Sequence, residues 1–275
     1  MRILEKKYKM VNKILHQRNL QSPKSYASGR KSYGKHENMF LKEIRLSQDL
    51  HLSYDIIPKE ELNKQGKIKT KKDKEAYIFD ASFTDNFNNL TRAAQIINLK
   101  DAAVILAETG ITNESIVFDS GSGSGGLALF LAKHCKQVYS FEIKDEHLEA
   151  CEKNKKFLNI DNVNFYKANV SNKKEIKDIV KEIKADVFAI DVLKPTETID
   201  TVREFLKLSG YAVFYVTQLN QAKEVVVVLD ESDDFSVITT KEILHREWDL
   251  HNKKCKPKGL THNHTGFLVF ARKVC

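Results

Sequence analysis

Cysteine, proline and tryptophan are scarce in this 275-residue chain, which holds four cysteines, four prolines and one tryptophan. The cysteines, Cys135, Cys151, Cys255 and Cys275, form no CxxC pair and no regular spacing, so neither a zinc ribbon nor a disulfide framework is written here. No stretch nears the roughly 18 consecutive apolar residues of a membrane span, and MRILEKKYKM at the start lacks the apolar run of a secretory signal, so the expected location is cytoplasmic. GK[ST] is missing from the one glycine-rich loop, which excludes Walker-type phosphate binding there. What is present is a chain 41% hydrophobic, enough for a full α/β domain and a small companion.

The net charge of +8 is unevenly placed. Residues 1 to 50 hold 12 Lys and Arg against 4 Asp and Glu, whereas residues 51 to 90 hold 7 of each and residues 91 to 275 hold 26 of each. A basic segment beside a neutral domain suits a polyanion-binding arm, because lysine and arginine displace counterions condensed on phosphates; the alternative is a solvated tail.

Residues 20 to 39, LQSPKSYASGRKSYGKHENM, have no apolar period and are expected to be loop or tail. Short apolar runs at 40–46, 52–57 and 76–79 suggest a small β-rich domain. From Arg92 the pattern becomes helical over AAQIINLKDAAVILAETG and closes at Gly110. Strand and helix candidates then alternate, as in a parallel sheet covered by helices: SIVFD, VYSFE, VNFYKAN, DVFAID and YAVFYVT are strands, and residues 127–133, 146–159, 173–183 and 197–208 are helices. SVITTKEIL and GFLVFARKV are expected to pair as an antiparallel edge. Two domains follow, a basic arm with an RNA-binding β domain over 1–90 and an α/β domain over 91–275.

The loop FDSGSGSGG, residues 118–126, sits between the first strand and its helix. Glycines there let the backbone turn sharply and approach a ligand, while the following helix aims its N–H groups at the same place. Gly121, Gly123 and Gly126 satisfy GxGxxG, so a dinucleotide must be weighed. Asp119 tilts the choice. A carboxylate at the strand tip repels a pyrophosphate and attracts the ammonium of an amino-acid-like ligand, which favours S-adenosylmethionine over NAD. Glu142, ending the next strand, can accept from both ribose hydroxyls, and Asn169, ending the third, can meet an adenine edge. Asp191 ends the fourth strand beside the cofactor, where a structural residue would only cap the next helix.

With these residues in hand, the chain resembles the tRNA adenine-N1 methyltransferases, class I S-adenosylmethionine-dependent enzymes that make 1-methyladenosine in the T-loop. The resemblance runs from about residue 49 to 274. It rests on AAQIINLKDAAVIL, FDSGSGSGG with LALFLA, FEIKDEHL, AIDVLKP, REWDL and HTGFLVFARK, of which AQII..KDAA and HTGF.VFAR are the most particular. It implies a small N-terminal β domain joined to a Rossmann-like domain with a mostly parallel seven-stranded sheet and an antiparallel edge, assembled as a homotetramer and acting on tRNA at T-loop position 57 and/or 58. It places Gln95, Asp119, Gly121, Gly123, Ser124, Gly125, Glu142, Asn169 and Asp191 at the S-adenosylmethionine site, with Asp191 as the catalytic acid. Three positions depart from the family pattern: Asp119 stands for a glutamate, Asn169 for an aspartate, and Asn86 for a tyrosine.

Arg92 and Arg246 are candidates for RNA phosphates, the plainer reading being solvated arginines. His264 is a candidate for the flipped base or its phosphate, against a backbone bond at a strand start. His262 and Cys255 offer poor ligand spacing, so no metal is expected, and Trp248 is expected in the core. Three rivals remain: another enzyme of this fold, such as a protein isoaspartate carboxyl methyltransferase; a non-catalytic RNA-binding partner subunit; and an NAD-dependent oxidoreductase.

Overall fold

The computed structural model describes residues 10–18, 36–45, 47–52, 55–250, 255–258 and 264–275. Most of the expected basic arm, including residues 20–35, lies outside them. The chain divides into two compact units, Met1–Asn89 and Leu90–Cys275.

The first unit contains β1 (Met10–Arg18), β2 (His36–Arg45), β3 (Leu50–His51), β4 (Ile56–Ile57), α1 (Lys59–Leu62), β5 (Gly66–Lys69), β6 (Glu75–Asp80) and α2 (Phe83–Phe87). An antiparallel sheet runs in the order β2-β1-β6-β5. Alternation along β6 sends Ala76 and Ile78 inward, and they pack with Leu15, Ile57, Leu62 and Ile68. β1 is a departure from the sequence reading, which took this basic stretch for an arm. Its period is masked because Lys13 occupies an inward position, buried to 4% and ion-paired with Asp80 at 2.5 Å. β2 likewise claims residues 36–39 from the expected loop. Asn86 serves α2, donating to the Ala81 and Ser82 carbonyls at 3.3 and 2.8 Å.

The second unit runs α3 (Leu99–Thr109), β7 (Ile116–Ser120), α4 (Gly126–Ala132), β8 (Gln137–Glu142), α5 (Asp145–Leu158), β9 (Val163–Lys167), α6 (Lys173–Val180), β10 (Ala185–Ile190), a 3-10 turn (Pro195–Thr198), α7 (Ile199–Phe205), β11 (Leu206–Val216), α8 (Leu219–Asp230), β12 (Phe235–Glu242), β13 (Trp248–Asp249), β14 (Lys256–Pro257) and β15 (Phe267–Lys273). Seven strands form one sheet in the order β12-β15-β11-β10-β7-β8-β9, with β15 antiparallel to both neighbours. This is the expected Rossmann-like fold with an antiparallel edge. The central strands are near-continuous apolar runs because helices cover the sheet. Phe118 packs edge-on against Phe141 and Phe188, with ring centroids 5.7 and 5.5 Å apart.

Three helices depart from expectation by more than one residue. The helix expected from Arg92 starts at Leu99, because the Asn98 side chain caps it by accepting the Lys100 amide at 3.0 Å. It ends as expected at Gly110, in the left-handed region with φ 64°. The helix expected to reach residue 183 stops at Val180, where Lys181 turns to φ 55°. The one expected over 197–208 divides into the 3-10 turn and α7, and Leu206 already belongs to β11.

Candidate functional site

The carboxyl ends of β7, β8 and β10 meet at the glycine loop. After Ser120 the chain turns through Gly121, Gly123 and Gly125, all with positive φ (80°, 56° and 80°). Gly121 is required on two grounds. A Cβ there would lie 1.8 Å from the Asp191 carbonyl oxygen, and the backbone is left-handed. The Gly121 amide donates to the Phe141 carbonyl at 2.9 Å, which seats the loop against β8.

Asp119 is buried, with 2% of its surface exposed. Its Oδ2 accepts from Ser140 Oγ at 2.5 Å, and Ser140 Oγ lies 2.6 Å from Ser122 Oγ, so a hydroxyl line runs from the β7 tip into the loop. Burial pushes the Asp119 carboxyl up to about 6, with the Glu142 charge adding to the rise. Glu142 is held in the opposite direction. Its Oε2 accepts the Gly123 amide at 2.9 Å, its Oε1 accepts the Ile143 and Lys144 amides at 2.8 and 3.1 Å, and His147 Nδ1 lies 3.1 Å from Oε2. These bonds outweigh burial and lower its pKa. Asp191 follows β10, its amide bound to the Ser120 carbonyl at 2.9 Å. Although Asp191 as a residue is open to solvent, the protein mass around its carboxyl and the charges of Asp119 and Glu142 push it up to about 7. Three carboxylates that raise or resist one another's charge make a site relieved by a cation and hostile to a pyrophosphate.

The structure therefore brings Asp119, the glycines, Glu142 and Asp191 together. Ser124 belongs to the same loop, but its hydroxyl is committed: it accepts the Ala93 and Ala94 amides at 3.0 and 2.9 Å and donates to the Ala94 carbonyl at 2.8 Å. Segment 93–95 is thereby laid beside the loop, in place of the expected helix. Gln95 is exposed, its amide donating to the Ile96 carbonyl at 3.3 Å. Asn169 is exposed two residues beyond the end of β9, and its side-chain oxygen accepts the Ser171 amide at 3.0 Å. It does not end the strand as expected, because the chain turns there towards α6.

Arg92 is exposed. His264 takes the backbone option among its two readings: Nε2 donates to the Thr217 carbonyl at 2.9 Å, and Nδ1 bonds Glu242 Oε1 at 2.6 Å, which together raise its pKa. Arg246 lies over the Trp248 ring, 5.6 Å from its centroid. Trp248 is not in the core but 50% exposed, because β13 and β14 form a ribbon of their own outside the seven-stranded sheet. No cluster able to hold a metal occurs among the described residues, and His262 lies outside them.

Several residues went unnoticed in the sequence. Asn154 is 1% exposed on the inner stripe of α5, bonding the Thr91 amide and carbonyl and the Ser124 carbonyl, each at 2.8 Å. Its place among Ala150, Cys151 and Leu158 on that stripe was the available signal. Ser140 stands two before Glu142, on the same face of β8. The motifs KDAA and HTGF meet: Lys100 Nζ donates to Asp101 Oδ1 at 2.7 Å and to Thr265 Oγ1 at 2.6 Å, and Thr265 Oγ1 donates to Asp101 Oδ2 at 2.7 Å. Tyr215 donates to the Thr265 carbonyl at 2.9 Å, and burial, then the Asp101 charge, pushes its hydroxyl up to about 12.

The family model described as "tRNA methyltransferase complex GCD14 subunit" matches residues 85–265. The chain is similar to the tRNA (adenine(58)-N(1))-methyltransferase TrmI of Thermus thermophilus, 26% identical over 212 residues that cover 76% of this chain and 81% of the other. It is also similar to the tRNA (adenine(57)-N(1)/adenine(58)-N(1))-methyltransferase TrmI of Methanocaldococcus jannaschii, 24% identical over 241 residues, 79% and 85% of the two chains. Among solved structures, TrmI from Aquifex aeolicus superposes with a TM-score of 0.74 at 20% identity, covering 96% of this chain and 97% of that one. An S-adenosylmethionine-dependent O-methyltransferase from Thermotoga maritima gives a TM-score of 0.77 at 23% identity, covering 96% and 93%. The two superpositions establish the fold.

Proposed function

Since the chain belongs to the family of GCD14-type tRNA methyltransferase subunits, we propose that it methylates N1 of adenine in the T-loop of transfer RNA, at position 57 and/or 58, with S-adenosylmethionine as donor. The observation that carries this reading is the buried Asp119 at the head of the glycine loop, crowded by Glu142 and Asp191. Such a cradle fits a ligand with a sulfonium and an ammonium group, and disfavours the doubly phosphorylated NAD.

S-adenosylmethionine, when bound, supplies a methyl group on a positively charged sulfur. Asp119 would hold its amino-acid end, Gly121, Gly123 and Gly125 would let it approach the backbone, and Glu142 would accept from the ribose, with Gln95, Ser124 through its backbone, and Asn169 at the margins. Adenine N1 carries a lone pair, so no covalent enzyme intermediate is needed and positioning does most of the work. The adenosine must leave its stack to reach the site. Asp191, in its ionised form, would accept a hydrogen bond from the exocyclic amine and offset positive charge growing on the ring. Arg92 and Arg246 would meet phosphates. Residues 1–90 would form an RNA-binding domain and 91–275 the methyltransferase domain, the assembly would be a homotetramer, and its place the cytoplasm.

The test is direct. Purified chain, an unmodified transfer RNA transcript and S-adenosylmethionine are incubated, and the digested RNA is analysed by mass. We expect 1-methyladenosine in the T-loop fragment, lost in Asp191→Ala. Absence of that nucleoside with the intact chain, when added lysate restores it, would favour the silent-subunit rival.

A further inference from the structure

Trp248 is the only tryptophan in the chain, and it stands half exposed on the ribbon where it pairs with Pro257, while Asp249 pairs with Lys256. Leu244 and Leu250 on either side are also exposed, at 67% and 68%. Such a ring out of the core, with a guanidinium over its face, is an unusual place for the largest side chain. The ribbon springs from between β12 and β15, whose pairing closes at Glu242 and Phe267. His264 fixes that root, since one ring nitrogen bonds Glu242 and the other the Thr217 carbonyl just past the end of β11. Next to β11 lies β10, which delivers Asp191. With strands about 4.8 Å apart, the root on β15 stands about 10 Å along the same sheet edge from the strand of Asp191.

We propose that this ribbon is an RNA-docking ledge, on which Trp248, backed by Arg246, receives the face of an unpaired nucleobase of the transfer RNA while Arg246 and Lys256 meet flanking phosphates. The proposal rests on the transfer RNA reading above. Charge selects the occupant. Among the described residues of the ribbon, Lys258 is paired with Glu247 at 2.5 Å, which leaves Arg246 and Lys256 beside Asp249. A second copy of the chain meeting this face about a two-fold axis would set Arg246 and Lys256 against themselves, and lysine is depleted from protein interface cores. An RNA strand supplies the opposite charge, and every base offers a flat face for stacking.

Because the chain has a single tryptophan, its emission reports on the ledge alone. The full chain is titrated with an unmodified transfer RNA transcript, following both Trp248 emission and the anisotropy of end-labelled RNA. We expect an emission change that saturates together with binding. Trp248→Ala should weaken RNA binding about tenfold, as loss of one stacked base does. Trp248→Phe should restore most of the affinity, and S-adenosylmethionine binding by calorimetry should be unchanged in both. Emission that stays constant while anisotropy saturates overturns the proposal. So does a blue shift that grows with protein concentration in the absence of RNA, which assigns the face to a second copy. If the chain methylates the transcript while emission is silent, the ledge fails and the methyltransferase reading stands; if emission responds but no 1-methyladenosine forms, the reading fails and the ledge stands.

Discussion

Glu142 Oε2 accepts the Gly123 amide at 2.9 Å, so the tip of β8 holds the glycine loop through the same carboxylate that is proposed to hold a ribose. Each Glu142 oxygen already has two partners, with Ile143 and Lys144 amides on one and Gly123 and His147 on the other. A ribose must therefore share or displace one of them, and the His147 bond, at 3.1 Å and from a side chain, is the easier to give up than a backbone amide. Glu142→Gln keeps the shape but replaces one acceptor oxygen with a donor facing backbone N–H groups. The expected outcome in calorimetry is S-adenosylmethionine binding weakened by at least about tenfold, the scale of one lost charge-assisted bond. Unchanged affinity would remove Glu142 from the site.

The pH dependence of the ligand-free protein follows from Asp119 at about 6 and Asp191 at about 7, against an ordinary value of 3.8. Both carboxyls bind protons more tightly in the folded chain than in the unfolded one. Between about pH 4 and about pH 7 the folded state holds the extra protons, so stability falls as pH rises through this window and does not recover above it. His264, raised by Thr217 and Glu242, contributes with the same sign, its stabilisation being lost as pH rises through its folded value. Thermal unfolding at pH 5.5 and pH 8 should give the higher midpoint at the lower pH, and Asp191→Asn should narrow the gap. Methyl transfer at limiting S-adenosylmethionine, where kcat/KM reports the free enzyme, should run the other way and fall as Asp191 protonates below about pH 7. A rate that is flat from pH 5.5 to 8 would leave Asp191 without the proposed acceptor role.

What could be read in the sequence was whatever an apolar strand ending in a polar residue announces. Asp119, Glu142 and Asp191 each follow such a run, and the glycines between the first two fix a turn that few other residues allow. Less visible were features in which a polar side chain replaces a backbone partner. The apolar pattern of AAQIINLKDAAVIL continues without a break from 93 onward, yet Asn98 starts the helix and Ser124 takes the amides of Ala93 and Ala94. Lys13 breaks the apolar alternation of β1 because its stem fills an inward position while its ammonium pairs with the exposed Asp80. Trp248 is exposed although its size argues for burial, because the two-residue strand that holds it belongs to a two-stranded ribbon outside the seven-stranded sheet.

Gly121 leaves almost no freedom. An added Cβ would overlap the Asp191 carbonyl at 1.8 Å, and the φ of +80° is strained for any other residue. The overlap is with backbone, which cannot swing away as a side chain could. Gly121→Ala should therefore cost about 3 kcal/mol or more, from strain and overpacking together. It should also displace Asp191, so that activity is lost even where the protein stays folded. Chemical denaturation and the mass-based nucleoside assay read the two effects separately. A variant with wild-type stability would mean that the β7 and β10 tips can part without penalty.

Asn154 provides the sharpest separation of scaffold from chemistry, because it touches no proposed ligand group yet holds the segment at Thr91 to the loop at Ser124. Asn154→Ala leaves one buried N–H and two carbonyls without their partner and opens space beneath them. Each such loss costs about 1 to 3 kcal/mol, and relaxation of the exposed Thr91 side recovers part of it, so a net cost of about 3 kcal/mol is expected. The urea midpoint should fall with the slope unchanged. Since Ser124 also anchors Ala93 and Ala94, loosening this tie should free segment 93–95 and weaken S-adenosylmethionine binding several-fold, with the pH profile of the remaining activity still set by Asp191. A fall in stability with cofactor affinity untouched would show that this segment supports the fold alone and does not shape the cofactor site.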